Sequence, residues 1–468
     1  MAKAAGWEKC VWLTAVAVLG LRGTLGCSRT PTSPSDAVSA LTADEVLQRM
    51  VATYAQARTY TDRGVVRLRY KQGDQWVQDE AKLAVKLVRP NKLALRAYQL
   101  QLTCDGRRLG ARIQDQQTRD LDGQMLLRAA PEQLRLDGLY ADPVVLNVIA
   151  SGLGGPPVTL ELLLADEPLT DVLQSSAQRE LLSPAELNGR TCRRVQATID
   201  VGRIVFWVDS ETFLLRRLEY PTGALAEQLA REMPCRDLSL TADFRDAAID
   251  GLVDEAAFAW DLPAQAKTVR RFVLPPPPPP TELLGRVPAM FHFTDLEGRQ
   301  VTSDAWRNRL CVLAWFNDHP ASQTCLQELN TLRRQFSDEA LAIVAVCTEP
   351  TTMSNEAVQR LGQQWGVGYP LVRDLDAVGR DLFRIPSTPT IVVFDGRGAV
   401  QLVEAGADPA LAGDLERQLR RLLNREDLAA ENLDRVAQER RDYDTALAAA
   451  AAEVEREARA ESNRGRRR

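Results

Sequence analysis

The chain has 468 residues, 45% of them hydrophobic and 26% charged, with a formal net charge of only −5. This composition excludes a collagen-like chain, a polytopic membrane protein and a wholly disordered one, and it lacks the basic excess of a nucleic-acid binder. Two histidines and eight cysteines, none in a CxxC pair, exclude a His-rich metal enzyme and the common zinc-ribbon spacings. No metal and no cofactor is expected. Length suggests about three units of roughly 150 residues.

Residues 1–27 read as an export signal. Lys3 and Lys9 form a basic start, and Val11 to Leu21 is an apolar run too short for the about 20 residues that span a bilayer. Thr24-Leu25-Gly26-Cys27 and a polar Ser/Thr/Pro-rich linker over 28–40 follow. This box resembles a bacterial lipoprotein signal, departing from it at Arg22 and Thr24. The resemblance implies lipidation of Cys27, a membrane anchor through that lipid, and residence in the periplasm or cell envelope. The alternative is plain cleavage with Cys27 incidental. Under either reading the protein leaves the cytoplasm, and outside it thiols can pair and stay paired. The irregular spacing of Cys104, Cys192, Cys235, Cys311, Cys325 and Cys347 is not that of a small disulfide framework.

The first large region, 41–272, opens on a helix. Thr42-Ala43-Asp44-Glu45 is a capping box, and Leu47, Met50, Val51 and Tyr54 mark one apolar helix face. Alternation then takes over: Val66, Leu68 and Tyr70; Leu83, Val85 and Leu87; Leu93, Leu95 and Ala97. Further strands are expected near Val195–Ile199, Ile204–Val208 and Phe213–Tyr220, with a turn at Asp209–Thr212. Short period-two strands joined by turns predict a mostly antiparallel sheet with helices, an α+β region. The helix-then-meander order, with "VRPNKLAL", "CDGRRL", "FWVDSETFLLRRLEY" and "AAFAWDLPAQAKTV", resembles the LolA/LolB-like lipoprotein-carrier fold. The resemblance implies a curved half-barrel whose apolar concavity takes a lipid or other hydrophobic ligand.

A Pro-rich linker over 273–283, with prolines from Pro275 to Pro280, favours an extended spacer. Beyond it, in 284–423, the period changes. Arg309–Phe316, Leu341–Cys347 and Thr390–Asp395 are near-continuous apolar runs, the pattern of strands buried on both faces. Leu326, Leu329, Leu332 and Phe336, then Ala357–Trp365, have helical spacing, and Asp395-Gly396-Arg397-Gly398 is a hairpin turn. Cys311 and Trp315 read as core. Strand, helix, strand, helix, hairpin and helix predict a thioredoxin-like α/β domain. "GRVPAMFHFTDLEGRQV" and "PSTPTIVVFDGRGAV" resemble the redoxin/TlpA-like families. That resemblance implies a cis peptide at Thr388-Pro389 beside the reactive sulfur.

In those families a CxxC opens the first helix, where the helix dipole and free N–H groups lower a thiol pKa. Here the loop reads "NDHPASQTCLQEL", which places Ser322 at the first position and Cys325 at the second, so two-thiol exchange between them is impossible. Three readings stay open. Cys325 acts alone in exchange with a protein thiol or disulfide; Ser322 and Cys325 form a peroxiredoxin-like T/S-x-x-C acting on peroxide, with Arg373 or Arg384 replacing that family's arginine; or the domain is non-catalytic and binds. Asp318, where peroxiredoxins carry proline, speaks against the second. His319 as a cationic neighbour lowers the Cys325 pKa in the active readings, and Cys347 resolves it through a disulfide; the plain alternatives are a loop histidine and a buried apolar cysteine. Residues 424–468, rich in Ala, Glu and Arg, read as a charged helical or disordered tail.

Overall fold

The computed structural model describes residues 41–465 except 115–120, 175, 233–234, 260–262, 264, 386 and 407–409. The export segment, Cys27 and the 28–40 linker lie outside the described residues. The chain divides into two compact units: among the described residues the first runs to Leu274 and includes the chain from Ala446 on, and the second runs from Pro275, where the proline run begins, to Thr445.

The first unit opens with α1, Ala43–Gln56. Its capping box is formed: the Thr42 hydroxyl accepts the Glu45 N–H at 3.2 Å, and the Glu45 carboxylate accepts the Thr42 N–H at 2.7 Å. A cap of this kind contributes about 1 kcal/mol. The buried face is Val46, Leu47, Met50 and Tyr54, so Val46 takes the place expected of the half-buried Val51.

The strands of this unit are β1 (Thr59–Gln72), β2 (Gln75–Val88), β3 (Lys92–Ala97), β4 (Leu100–Asp105), β5 (Arg108–Ile113), β6 (Gln124–Ala129), β7 (Gln178–Leu187), β8 (Arg190–Ile199), β9 (Gly202–Asp209), β10 (Leu215–Glu219), β11 (Cys235–Phe244), β12 (Ala248–Ile249) and β13 (Lys267–Val269). They form one sheet in the order β13-β6-β5-β4-β3-β2-β1-β11-β10-β9-β8-β7, with β12 on β1. Every pair is antiparallel except β13–β6. The sheet is open, with β7 and β13 at its ends, and among the described residues it does not close into a barrel. The alternation expected of Val66, Leu68, Leu83, Val85, Leu87, Leu93 and Leu95 holds, and all are buried. The strand expected from Phe213 starts two residues later, because Phe213 adopts a left-handed φ of 55° in the turn after β9.

Helices α2 (Leu136–Leu139), α3 (Pro143–Ala150), α4 (Val158–Leu164) and α5 (Thr170–Leu173) follow β6, and α6 (Gly223–Glu232) follows β10. Among them α4 is buried on nearly every side, so its sequence shows no amphipathic period. Arg89 ties this layer together. Its guanidinium donates to the carbonyls of Ala57 (2.9 Å), Tyr54 and Leu163 (2.8 Å), at the ends of α1 and α4, where free carbonyls favour a cation.

The second unit contains β14 (His292–Asp295), β15 (Gln300–Thr302), β16 (Leu310–Phe316), α7 (Pro320–Arg333), β17 (Leu341–Cys347), α8 (Asn355–Gln364), β18 (Leu371–Arg373), α9 (Val378–Asp381), β19 (Thr390–Phe394), β20 (Val400–Ala405), α10 (Leu411–Leu423) and, as far as Thr445, α11 (Leu428–Gly465). Its sheet runs β15-β14-β18-β17-β16-β19-β20. Central β16 lies between parallel β17 and antiparallel β19. This is a thioredoxin-type arrangement, with β18 and the β14–β15 hairpin added on the β17 side. Every residue of β16, β17 and β19 is buried. Alternate β16 side chains enter two cores, Val312, Ala314 and Phe316 on the α7 side and Cys311, Leu313 and Trp315 on the other. The tail is helical, and its start is core: Leu428 and Ala429 are buried, and the Gln401 side chain accepts the Ala429 N–H at 3.1 Å. No helix among the described residues is long and apolar enough to cross a membrane.

Candidate functional site

The carboxyl ends of β16 and β17 and the start of β19 meet at one edge of the second sheet. Register fixes this: Phe316 pairs with Cys347, and Trp315 pairs with Thr390. The sequence-expected residues Thr388, Pro389 and Cys347 therefore gather where α7 begins. The Thr388-Pro389 bond is cis, and the Pro389 carbonyl accepts the Gly406 N–H at 2.8 Å.

The loop from β16 into α7 is held by its own side chains. His319 is the N-cap of α7, and its Nδ1 accepts the Ala321 N–H at 3.0 Å. Its other nitrogen, Nε2, is buried with no hydrogen-bond partner. Ser322, at the third helical position, is fully buried. Its hydroxyl donates to Asn317 Oδ1 at 2.9 Å and accepts the Asn317 N–H at 3.3 Å. The Asp318 N–H goes to the Glu349 carboxylate at 2.7 Å, which links this loop to the one after β17.

Cys325 lies in the second turn of α7, beyond the free N–H groups of the first, and faces the core formed with Leu326, Leu329 and Tyr369. The thiol is fully buried. Burial, and then the negative charge of Glu328, push its pKa up to about 12. The dipole effect fades within the first helical turn, so it offers little opposition. Cys347 is also buried, and its thiol is pushed up to about 11 by burial, against the Glu349 N–H and the Arg373 charge, which pull it down. All six described cysteines are free.

The two arginines considered for a peroxide site are elsewhere employed or exposed. Buried Arg373 donates to the carbonyls of Met353, Glu349 and Pro350 and to Asn355 Oδ1, at 2.6–3.1 Å, stapling the 349–355 loop to β18. Arg384 is exposed. Asn317 and Glu349 went unnoticed in the sequence, although each follows a buried strand by one or two residues and so had to fall at this edge.

No family model matches the chain, and no curated protein does. Solved structures similar to part of it include a thiol-disulfide isomerase from Corynebacterium glutamicum (16% identity, 28% of this chain and 95% of that one, TM-score 0.25). A secreted disulfide oxidoreductase from Mycobacterium tuberculosis is 17% identical over 30% of this chain and 97% of that one, with a TM-score of 0.24. A thiol-disulfide oxidoreductase from Bacteroides fragilis is 18% identical over 28% and 99%, with a TM-score of 0.25. The assignment of the second unit to a thioredoxin-type arrangement rests on its strand order.

Proposed function

We propose that this is an exported, two-unit binding protein whose second unit keeps the thioredoxin frame without running thiol exchange. The observation that carries the reading is the pair at positions 322 and 325. Ser322 is locked onto Asn317, and Cys325 is a buried thiol pushed up to about 12, with a vanishing thiolate fraction near neutrality. The thiolate is the nucleophile in exchange and in peroxide reduction alike, so both active readings lose their reagent. Export is supported by the basic start and the apolar run Val11 to Leu21.

Alkylation of the native full chain tests this, with each cysteine followed by peptide mass spectrometry from pH 6 to 9. Cys325 is expected to stay unmodified until denaturant is added, and disulfide-reductase turnover to be at background. Rapid native labelling of Cys325 near pH 7, with a mixed disulfide trapped there, would sink the proposal.

A further inference from the structure

Four aspartates are buried among the described residues, Asp62, Asp142, Asp209 and Asp243, all in the first unit. Three are compensated. Asp142 caps α3 through the Val144 and Val145 N–H groups, takes the Phe272 N–H and faces Arg128. Asp209 takes the Glu211 and Thr212 N–H groups and the guanidiniums of Arg216 and Arg190. Asp243 lies between Arg67 and Arg217.

Asp62 is the exception. It is 4% exposed, on the core-facing side of β1 between Tyr60 and Gly64. Its Oδ1 has no hydrogen-bond donor, and among the described residues no cation lies within ion-pair distance. Gly64 leaves room for the carboxyl: a Cβ there would stand 3.4 Å from Oδ2 and 3.2 Å from the Phe244 ring. The nearby buried cation, Arg216, is spent on Asp209, the Ala247 carbonyl and Thr212. From α1 the facing group is Tyr54, whose ring is 5.4 Å from that of Tyr60 and whose hydroxyl accepts the Leu215 N–H. The remaining charges that reach Asp62 are those of Asp246, before β12, and of Arg63 on β1 itself. A carboxylate so placed is costly, and a neutral carboxyl is not.

We propose that Asp62 is a proton-operated latch of the first unit: neutral, it lets α1 seat through Tyr54 against the sheet, and ionised, it loosens that seat. In support, burial, with the Asp246 charge adding to it, raises the Asp62 pKa to about 7 against the Arg63 N–H, Arg216 and Arg63. The unfolded carboxyl titrates near 3.9. Between the two values the folded state binds more protons, so this stabilisation is complete below about pH 4 and is lost as pH rises to about 7. The sign is opposite to that of an ordinary paired carboxylate.

Hydrogen exchange of the α1 amides in the full chain, corrected for intrinsic rates, tests the latch between pH 5 and 8. Protection in the wild type is expected to fall by about tenfold per pH unit until the carboxyl has ionised. Glu161 is also raised by burial and acts in the same direction, so the reading is the difference from Asp62→Asn, which keeps the neutral shape. That variant is expected to lose most of the pH dependence. Asp246→Asn removes the like charge and is expected to move the transition to lower pH, a test that does not require Asp62→Asn to fold. A flat wild type, an Asp62→Asn profile matching it, or an unmoved transition in Asp246→Asn overturns the proposal.

Discussion

The two units treat buried charge in opposite ways. Among the described residues, the first encloses four aspartates and Arg216, while the buried polar residues of the second are Thr281, Ser322, Arg373, Thr390 and Gln401, with no carboxylate. The difference follows from the sheets. Strands β16, β17 and β19 are covered on both faces, and a carboxylate there would meet only apolar side chains. In the first unit Asp209 sits at a turn, Asp243 in a cross-strand row and Asp142 at a helix N-cap, where N–H groups or arginines reach them, and Asp62 alone is left without such partners. Burial alone would raise Asp209, yet the Thr212 and Glu211 N–H groups and Arg216 hold it below the usual range. Pairing, more than topology, decides whether a buried carboxylate is a fastener or a liability.

Removing that pairing is the largest test. Arg216→Leu takes the buried guanidinium from Asp209 and from the Ala247 carbonyl, and breaking a buried pair by deleting one partner costs about 3–5 kcal/mol. Urea unfolding followed by far-UV circular dichroism is expected to show an earlier transition by that amount. A loss below about 1 kcal/mol would mean that Arg190 and the backbone hold Asp209 unaided, and the contrast between the units would rest on geometry alone.

Much of this was legible in the sequence, for physical reasons that differ by element. The β16, β17 and β19 runs were plain because strands covered on both faces need unbroken apolar stretches. The Thr42 box announced α1 because its two residues satisfy backbone groups locally. Helix α4 was not legible, since a helix buried on nearly every side has no polar face to set a period. Asp62 hid for a different reason: it shares the inward parity of Val66, Leu68 and Tyr70, but no spacing in the sequence shows that its carboxyl Oδ1 lacks a hydrogen-bond donor there. At the edge beside Pro389, the sequence named Ser322, Cys325, Cys347 and the cis bond. Burial of the two thiols depends on how α7 packs, which no spacing reveals.

A smaller effect separates an emptied site from an altered frame. Ser322→Ala leaves Asn317 Oδ1 and the Asn317 N–H without their hydroxyl, a loss of about 1 kcal/mol, and leaves Cys325 as slow to alkylate as before. Ser322→Cys instead puts a thiol at the third position of α7, where the helix N-terminus lowers its pKa. Disulfide-reductase activity is expected to appear in this variant and to vanish when Cys325→Ser is added. Absence of activity would mean that the edge itself has been remodelled and that the substitution of one residue does not account for the lost chemistry.

The smallest expected effect bears on His319. Had it served as a cationic neighbour of Cys325, replacing it would change the reactivity of that thiol. In the structure it caps α7 through Nδ1, and the influences on Cys325 are burial and Glu328, both raising. Aspartate is among the strongest N-caps, and a negative charge favours the helix N-terminus. His319→Asp also removes the buried Nε2, which has no hydrogen-bond partner. The variant is therefore expected to stabilise the second unit by about 0.5–1 kcal/mol in urea unfolding, with Cys325 alkylation in the native state unchanged. Faster or slower labelling of Cys325 at unchanged stability would return the imidazole to the thiol's surroundings. A gain in stability with no change in labelling would fix it as a cap, and the edge beside Pro389 would hold its loop by hydrogen bonds alone.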